Sequence, residues 1–306
     1  FISLYIASLK KRKENMKKYY HDFFNDKFVR EIVYPNKKKG YFVDCGATDG
    51  ILQSQSLRLE QDGWRGLCIE PCLAYTNALK NNRPLAKIDT SAIVPKKYEG
   101  ERSFYENPQF TLSSVSLDSM DTKNWRKDNY ESYKVNGLSI VSILNKNNAP
   151  KIIDFMGIDI EGSFTDTDIT LEEEVIKELL DSEYKVNFFA VEHYWPPNLD
   201  KIFNDTPYFK IKNPFLDAMW LSTETGLSYT LSPNGHYVCQ QYGNEEERDI
   251  TDMKKIVWEA YYVHMDVIKE NKKLHHQGKT KKKGGGKKKN SKKKRKGKST
   301  KKMKKY

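Results

Sequence analysis

The chain has 306 residues with 53 Lys and Arg against 41 Asp and Glu, and its formal net charge of +12 is unevenly spread. Residues 272–306 hold 19 of the bases and no acid, which leaves 34 bases against all 41 acids in residues 1–271, a net of −7. An acidic body with a basic tail excludes a uniformly basic nucleic-acid-binding domain. No apolar run approaches the ~20 residues of a spanning helix, which excludes a membrane bundle. The body is long enough for one large α/β domain with its own core. Cys45, Cys68, Cys72 and Cys239 offer no disulfide framework. The spacing of Cys68 and Cys72 suits a zinc ligand pair, but no second pair lies near, so reduced thiols without disulfide partners are expected.

The opening FISLYIASLKKRK lacks Met and reads as the first turns of an amphipathic helix, with the end of a lost signal anchor as the alternative. Residues 1–38 are accordingly expected to form an N-terminal helical extension. Tyr41–Gly46 (YFVDCG) is an apolar run ending in a Gly-rich turn, and a helical stretch with Leu57 and Leu59 follows. Gly66–Pro71 is a second strand, Cys72–Asn82 a helix ended by the NNRP breaker, and Ala86–Val94 a third strand. Strands about 20–25 residues apart with helices between them predict a parallel, doubly wound sheet. Residues 95–137, rich in Ser, Asn, Asp, Tyr and Lys, read as a long irregular excursion of the kind that forms a substrate lid or binding loop.

Beyond it, Lys151–Glu161 (KIIDFMGIDIE) is the clearest strand, and Thr170–Leu180 is a helix whose Thr170 and Glu173 form a capping box. Val186–His193 is a fifth strand. Tyr208–Ser222 and the LSPNG turn at 231–235 suggest closing antiparallel strands. From Ile250 to Ile268 the apolar positions Ile250, Met253, Val257, Ala260, Tyr261 and Val267 are spaced like one face of a helix.

In an open parallel sheet ligands bind beyond the carboxyl ends of the strands. The polar residues there are Asp44, Gly46, Thr48, Asp49, Gly50, Glu70, Ser91, Asp159, Glu161, Glu192 and His193. The first turn, DCGATDG, has its glycines four apart, unlike the GxGxxG that seats a diphosphate on a helix N-terminus. An acid just before the turn repels a diphosphate and suits a ligand bearing ammonium and sulfonium charges, such as S-adenosylmethionine. Glu70 stands where a carboxylate takes two ribose hydroxyls, as it also does in nicotinamide enzymes. From the residues alone a methyltransferase leads, with another nucleotide-binding α/β protein or a noncatalytic domain left open.

Four blocks in order, YFVDCGATDG, SQSLRLEQDGWRGLCIEP, IIDFMGIDIEGS and FFAVEH, resemble the FkbM-type methyltransferases, a branch of the class I S-adenosylmethionine-dependent fold. The resemblance runs from about Tyr41 to about His193. It implies a Rossmann-like, mostly parallel doubly wound sheet with an antiparallel closing strand, over a methyltransferase domain at 39–271. It also implies an O-methyltransferase acting on a hydroxyl of a sugar, a glycan or a small molecule. Carried over, it puts Asp44, Gly46, Asp49 and Gly50 around the donor's methionine part with Ser54 close by, Glu70 on the ribose and Ser91 near the adenine. Gln55 replaces a common Asn, and VEHYWPPN a more usual VEHN, so the acceptor side stays open.

Transfer to an alcohol requires a proton acceptor, and a positioned base typically contributes ~10²–10⁴-fold. Asp159 and Glu161, two apart at a strand end, point the same way and border the acceptor; His193 is the other candidate, as imidazole titrates near neutrality. A divalent ion on Asp159, Glu161 and His193 is a third option, chemically suited to Mg²⁺ or Mn²⁺ and not expected.

The tail KTKKKGGGKKKNSKKKRKGKSTKKMKKY is expected to be disordered. It suits nuclear import or nonspecific contact with a polyanion, nucleic acid or anionic lipid, on an otherwise cytoplasmic protein. A nucleic-acid methyltransferase, or an RNA-associated binding protein using that tail, is the competing function. The position after strand four reads DIEGS rather than an aromatic-rich (D/N)PPY signature, which weakens it.

Overall fold

The structure, a computed structural model, describes residues 19–21, 23–106, 113, 115, 131–160, 169–192, 199–211, 213, 227–231, 237–241 and 256–271, of which 227–231, 237–241 and 256–259 by backbone alone. Its strands are β1 Tyr41–Cys45, β2 Arg65–Ile69, β3 Ala86–Asp89, β4 Ala92–Ile93, β5 Gly100–Glu106, β6 Glu131–Leu138, β7 Ile152–Ile153, β8 Phe155–Ile158, β9 Lys185–Val186, β10 Phe188–Glu192, β11 Tyr208–Ile211, β12 Leu227–Leu231, β13 Tyr237–Gln241 and β14 Ile256–His264. Its helices are α1 Asn25–Phe28, which runs on into a π-helical turn Val29–Val33, α2 Leu57–Gln61, α3 Leu73–Asn82, α4 Ile140–Lys146, α5 Leu171–Leu180, α6 Leu199–Ile202 and α7 Met265–Glu270. None is long and apolar enough to cross a membrane among the described residues.

The main sheet has the order β12-β13-β14-β10-β8-β1-β2-β3, with β11 also on β14. The five strands from β3 to β10 are parallel, and β14 closes the set antiparallel to β10. The chain winds outward from β1 through β2 to β3 and returns to β8 on the other side of β1. The topological switch point therefore falls between β1 and β8.

Strand residues alternate between two buried faces. Val43, Leu67, Met156, Phe189 and Tyr262 meet α4 and α5 on one side. Phe42, Cys68, Phe155, Phe188 and Tyr261 meet Phe28, Val29 and Val33 on the other. Burial on both faces is why these strands read as near-continuous apolar runs. Phe28 stands edge-on to Phe188 and Tyr261, at 5.6 and 5.2 Å between ring centroids, in the geometry aromatic pairs prefer. Residues 25–33 thus cover one face of the sheet; residues 1–18 of the expected N-terminal extension and the Lys-rich tail 272–306 lie outside the described residues.

Five expectations need correction. Residues 256–264 are a strand, and only Met265–Glu270 is helical, capped by the His264 side chain accepting from the Asp266 N–H. The run IVWEAYYVH is apolar apart from Glu259 and His264, so a helical period fits it as well as a strand period does, and its β-branched and aromatic content decides the outcome. Ile250 and Met253 lie outside the described residues.

The strand expected over Ala86–Val94 splits after Asp89, whose carboxylate accepts from the Ser91 N–H at 2.9 Å and turns the chain, so that β3 and β4 belong to different sheets. Those expected over Lys151–Glu161 and Val186–His193 break at Asp154 and Asn187, neighbouring positions where Asp154 takes the Tyr41 N–H and Asn187 donates to Ile153. Within 95–137, β5 and β6 form a regular antiparallel hairpin that pairs with β4 in a separate three-stranded sheet. Its polar composition is that of a hairpin solvated on one side.

The capped helix α5 starts as its pattern implies, with the Thr170 hydroxyl accepting from the Glu173 N–H. Cys45, Cys68 and Cys72 are buried thiols, which fits small apolar core residues.

Candidate functional site

At the switch point β1 and β8 end side by side. The Asp159 N–H donates to the Cys45 carbonyl at 3.1 Å, and a β-carbon on Gly46 would lie 1.8 Å from the Asp159 carbonyl oxygen. Only glycine fits there, and its φ of 86° adds the same demand. The loop then passes through three more left-handed residues, Thr48 (φ 46°), Gly50 (84°) and Gln53 (49°). A β-carbon on Gly50 would sit 2.5 Å from Arg83 Cγ. Left-handed geometry at a β-branched residue such as Thr48 costs on the order of 1–3 kcal/mol and persists only when its surroundings impose it. Two contacts do so: its N–H donates to Glu70 Oε2 at 2.9 Å and its hydroxyl to the Leu52 carbonyl at 3.0 Å. Asp49, at the loop's outer edge, accepts from the N–H groups of Ile51 and Leu52 at 2.8 and 2.7 Å.

Beneath the loop lies a buried ionic network. Arg83, 1 % exposed, donates to Glu60 at 2.7 Å, to Ser56 at 2.8 Å and to Ser54 at 3.2 Å, and its guanidinium sits 3.7 Å from Asp44. The Ser56 and Ser54 hydroxyls also donate to Asp44 Oδ2. Burial raises the Asp44 carboxyl above its usual range, against the pull of Arg83 and the two serines. Ser54 Oγ accepts the Leu57 N–H at 3.0 Å, so this serine also shapes the entry to α2.

Glu70, just beyond β2, is 6 % exposed and has one carboxylate oxygen on the Thr48 N–H and the other on the Cys72 N–H at 2.8 Å. Burial pushes it up to about 7; the two backbone donors pull down, and the charges of Asp159 and Glu106 add to the rise.

Asp159 lies in a crowded recess that solvent still reaches. Burial raises its carboxyl, and it shares a hydrogen bond with Glu192, the residue beside it at the end of β10. A hydrogen bond between two carboxyl groups requires one proton between them. Glu172, on the first turn of α5, is near enough for the Asp159 charge to reinforce its own rise to about 8, which burial dominates.

Ser91 is buried on the turn after β3, where Lys146 bonds its hydroxyl and Asp89 at 3.1 Å each. Glu161 and His193 lie outside the described residues. Among the described residues no group of three side chains could hold a metal ion. A separate cleft of about 320 Å³ between Val94–Lys96 and α5 shares no residue with this rim.

The structure thus brings Asp44, Gly46, Asp49, Gly50, Ser54, Glu70 and Asp159 to one end of the sheet. Sequence reading passed over Arg83, Glu60, Glu172, Glu106 and Tyr133, and counted Thr48 and Glu192 only as rim residues. Arg83 looked like part of a helix breaker; its nearness to Asp44 is a tertiary fact. The donor set fits S-adenosylmethionine: carboxylates for ribose hydroxyls and for cationic groups, and a first turn whose acid disfavours a diphosphate.

Residues 44–163 match the family model described as the methyltransferase FkbM domain. No curated protein matches the chain. Similar solved structures include a TehB-like SAM-dependent methyltransferase from Corynebacterium glutamicum, at 8 % identity over 86 % of this chain and 97 % of that one with a TM-score of 0.34. Another is the C-terminal domain of precorrin-6Y C5,15-methyltransferase from Rhodobacter capsulatus, at 9 % identity over 78 % and 86 % with a TM-score of 0.35. The human methyltransferase 10 domain containing protein aligns at 10 % identity over 78 % and 80 %, TM-score 0.33. Family match and strand order together define a class I, S-adenosylmethionine-dependent methyltransferase. Within that class, it is the FkbM domain model that residues 44–163 match, over about two-fifths of the chain.

Proposed function

We propose that the protein is an O-methyltransferase that acts on a hydroxyl of a sugar, a glycan or a small molecule, with residues 39–271 as the methyltransferase domain. The observation that supports this reading most is the Asp159–Glu192 carboxyl pair at the switch point. A hydroxyl is too weak an acid to be ionised at pH 7 and must lose its proton as its oxygen is alkylated, so a carboxylate beside the reacting oxygen has a defined task. When bound, S-adenosylmethionine supplies an electrophilic methyl group on a sulfonium. In this reading Asp44, Gly46, Asp49, Gly50 and Ser54 line the methionine part, Glu70 takes the ribose hydroxyls and Ser91 faces the adenine. Asp159 takes the acceptor's proton, with Glu161 and His193 as the other candidate bases.

Transfer of labelled methyl from the donor to a panel of glycans, RNA and protein extracts tests the proposal. Label is expected in glycan or small-molecule hydroxyls. Label confined to RNA or protein would refute the hydroxyl assignment.

A further inference from the structure

The hairpin β5–β6 is anchored at its base to the edge of the Glu70 site. Tyr133 on β6 donates its hydroxyl hydrogen to Glu106 Oε2 at 2.5 Å, and the Tyr133 hydroxyl oxygen accepts the Leu73 N–H at 2.8 Å. Leu73 opens α3, so this phenol satisfies one of the helix's otherwise unpaired first-turn donors. Glu106 also bonds the thiol of Cys72, whose own N–H holds Glu70. Glu106 is 8 % exposed. A continuous path of short contacts therefore runs from Glu106 through Tyr133, Leu73 and Cys72 to Glu70, and it joins the small sheet to the large one.

We propose that Glu106 is a positioning residue for the donor site: held by Tyr133 at the edge of the Glu70 pocket, it adds to the burial that opposes ionisation of Glu70 and so shapes the pH range in which S-adenosylmethionine binds. This rests on the reading of Glu70 as the ribose carboxylate. Ribose hydroxyls donate to that group, so binding favours its ionised form, and a second carboxylate nearby opposes ionisation. The titratable groups facing Glu70 are Asp159 at the end of β8, Cys72 and Tyr75 at the start of α3, and Glu106 on the hairpin, to which Tyr133 bonds. With Glu70 raised by burial and by its acidic neighbours to about 7, donor affinity falls as pH drops through neutrality. Removing the Glu106 charge moves that fall to lower pH.

The test is calorimetric binding of S-adenosylhomocysteine to the full chain between pH 5.5 and 8.5, which needs no acceptor and avoids the sulfonium charge. Wild type is expected to lose roughly tenfold in affinity per pH unit below the midpoint, as one linked proton requires. Glu106→Gln should keep the affinity of wild type at pH 8.5 and shift the midpoint acidward. Tyr133→Phe, which frees Glu106 while leaving its charge, should shift it the same way by less. An unmoved midpoint in Glu106→Gln, or an equal loss of affinity at every pH, overturns the proposal by reducing Glu106 to a structural anchor. Wild type that fails to bind at any pH overturns instead the donor-site reading beneath it.

Discussion

At the scale of single residues, one cation keeps the floor of the site together. Arg83 is enclosed with Glu60 and Asp44 and is the cation that faces both. Arg83→Met is expected to destabilise the fold by about 3–5 kcal/mol, because two buried carboxylates lose their partner, and urea unfolding measures it. Glu70→Ala and Asp44→Asn are expected to abolish or strongly weaken S-adenosylmethionine binding in calorimetry; unchanged affinity in both would remove them from the donor site. Asp44, Glu70 and Asp159 were legible in the sequence because an acid directly after a short apolar run marks a strand's carboxyl end. Arg83, Glu106 and Tyr133 were not, since each reaches the site from a distant element, and nothing local separates them from solvated surface residues. Glu60 is hidden for the same reason: on paper it belongs to an ordinary polar helix end, and its burial follows from Arg83.

At the scale of elements, the loop from Gly46 to Ser56 is fixed by what it must avoid. Gly46→Ala has no space beside the Asp159 carbonyl and no favourable backbone conformation. The ends of β1 and β8 would have to part. The variant is expected to lose thermal stability and donor binding together, and normal binding in a stable Gly46→Ala protein would show that the loop adapts. The parallel strands and α5 were readable because their periodicity and capping agree with the tertiary outcome. Strand β14 was not. Its residues pack on both faces, with Ala260 and Tyr262 on one side and Tyr261 and Val263 on the other, which erases the alternation that identifies a half-exposed strand. The breaks at Asp89, Asp154 and Asn187 were equally invisible, because Asp89 and Asp154 bond backbone N–H groups in a turn and a neighbouring strand, and the Asn187 side chain bonds Asp154.

At the scale of the whole molecule, buried acids give the protein a distinctive pH response. Burial pushes Glu70 and Asp26 up to about 7 and Glu172 to about 8. An acid whose folded value lies above its unfolded one binds more proton in the native state between the two values, so stability falls as pH rises through that window. His21, buried and pulled down to about 3, acts in the opposite sense below its ordinary 6.5. Three acids outweigh one imidazole, and the ligand-free protein is expected to melt at a higher temperature near pH 5 than near pH 8. Glu172→Gln should narrow that difference. Equal or reversed melting temperatures would count against these burial assignments.

Strand β14 also carries a consequence for the order of synthesis. It belongs to the last described segment of the chain, yet it lies inside the sheet, with β10 on one edge and β13 and β11 along the other. Until residues 256–264 exist, β10 presents the bare edge of FFAVE, and β11 and β13 have no place to attach. Such an edge is a template for pairing with other chains. A nascent or truncated chain that stops before Ile256 would thus hold the complete parallel half of the sheet, with its rim residues, and be prone to association through that edge.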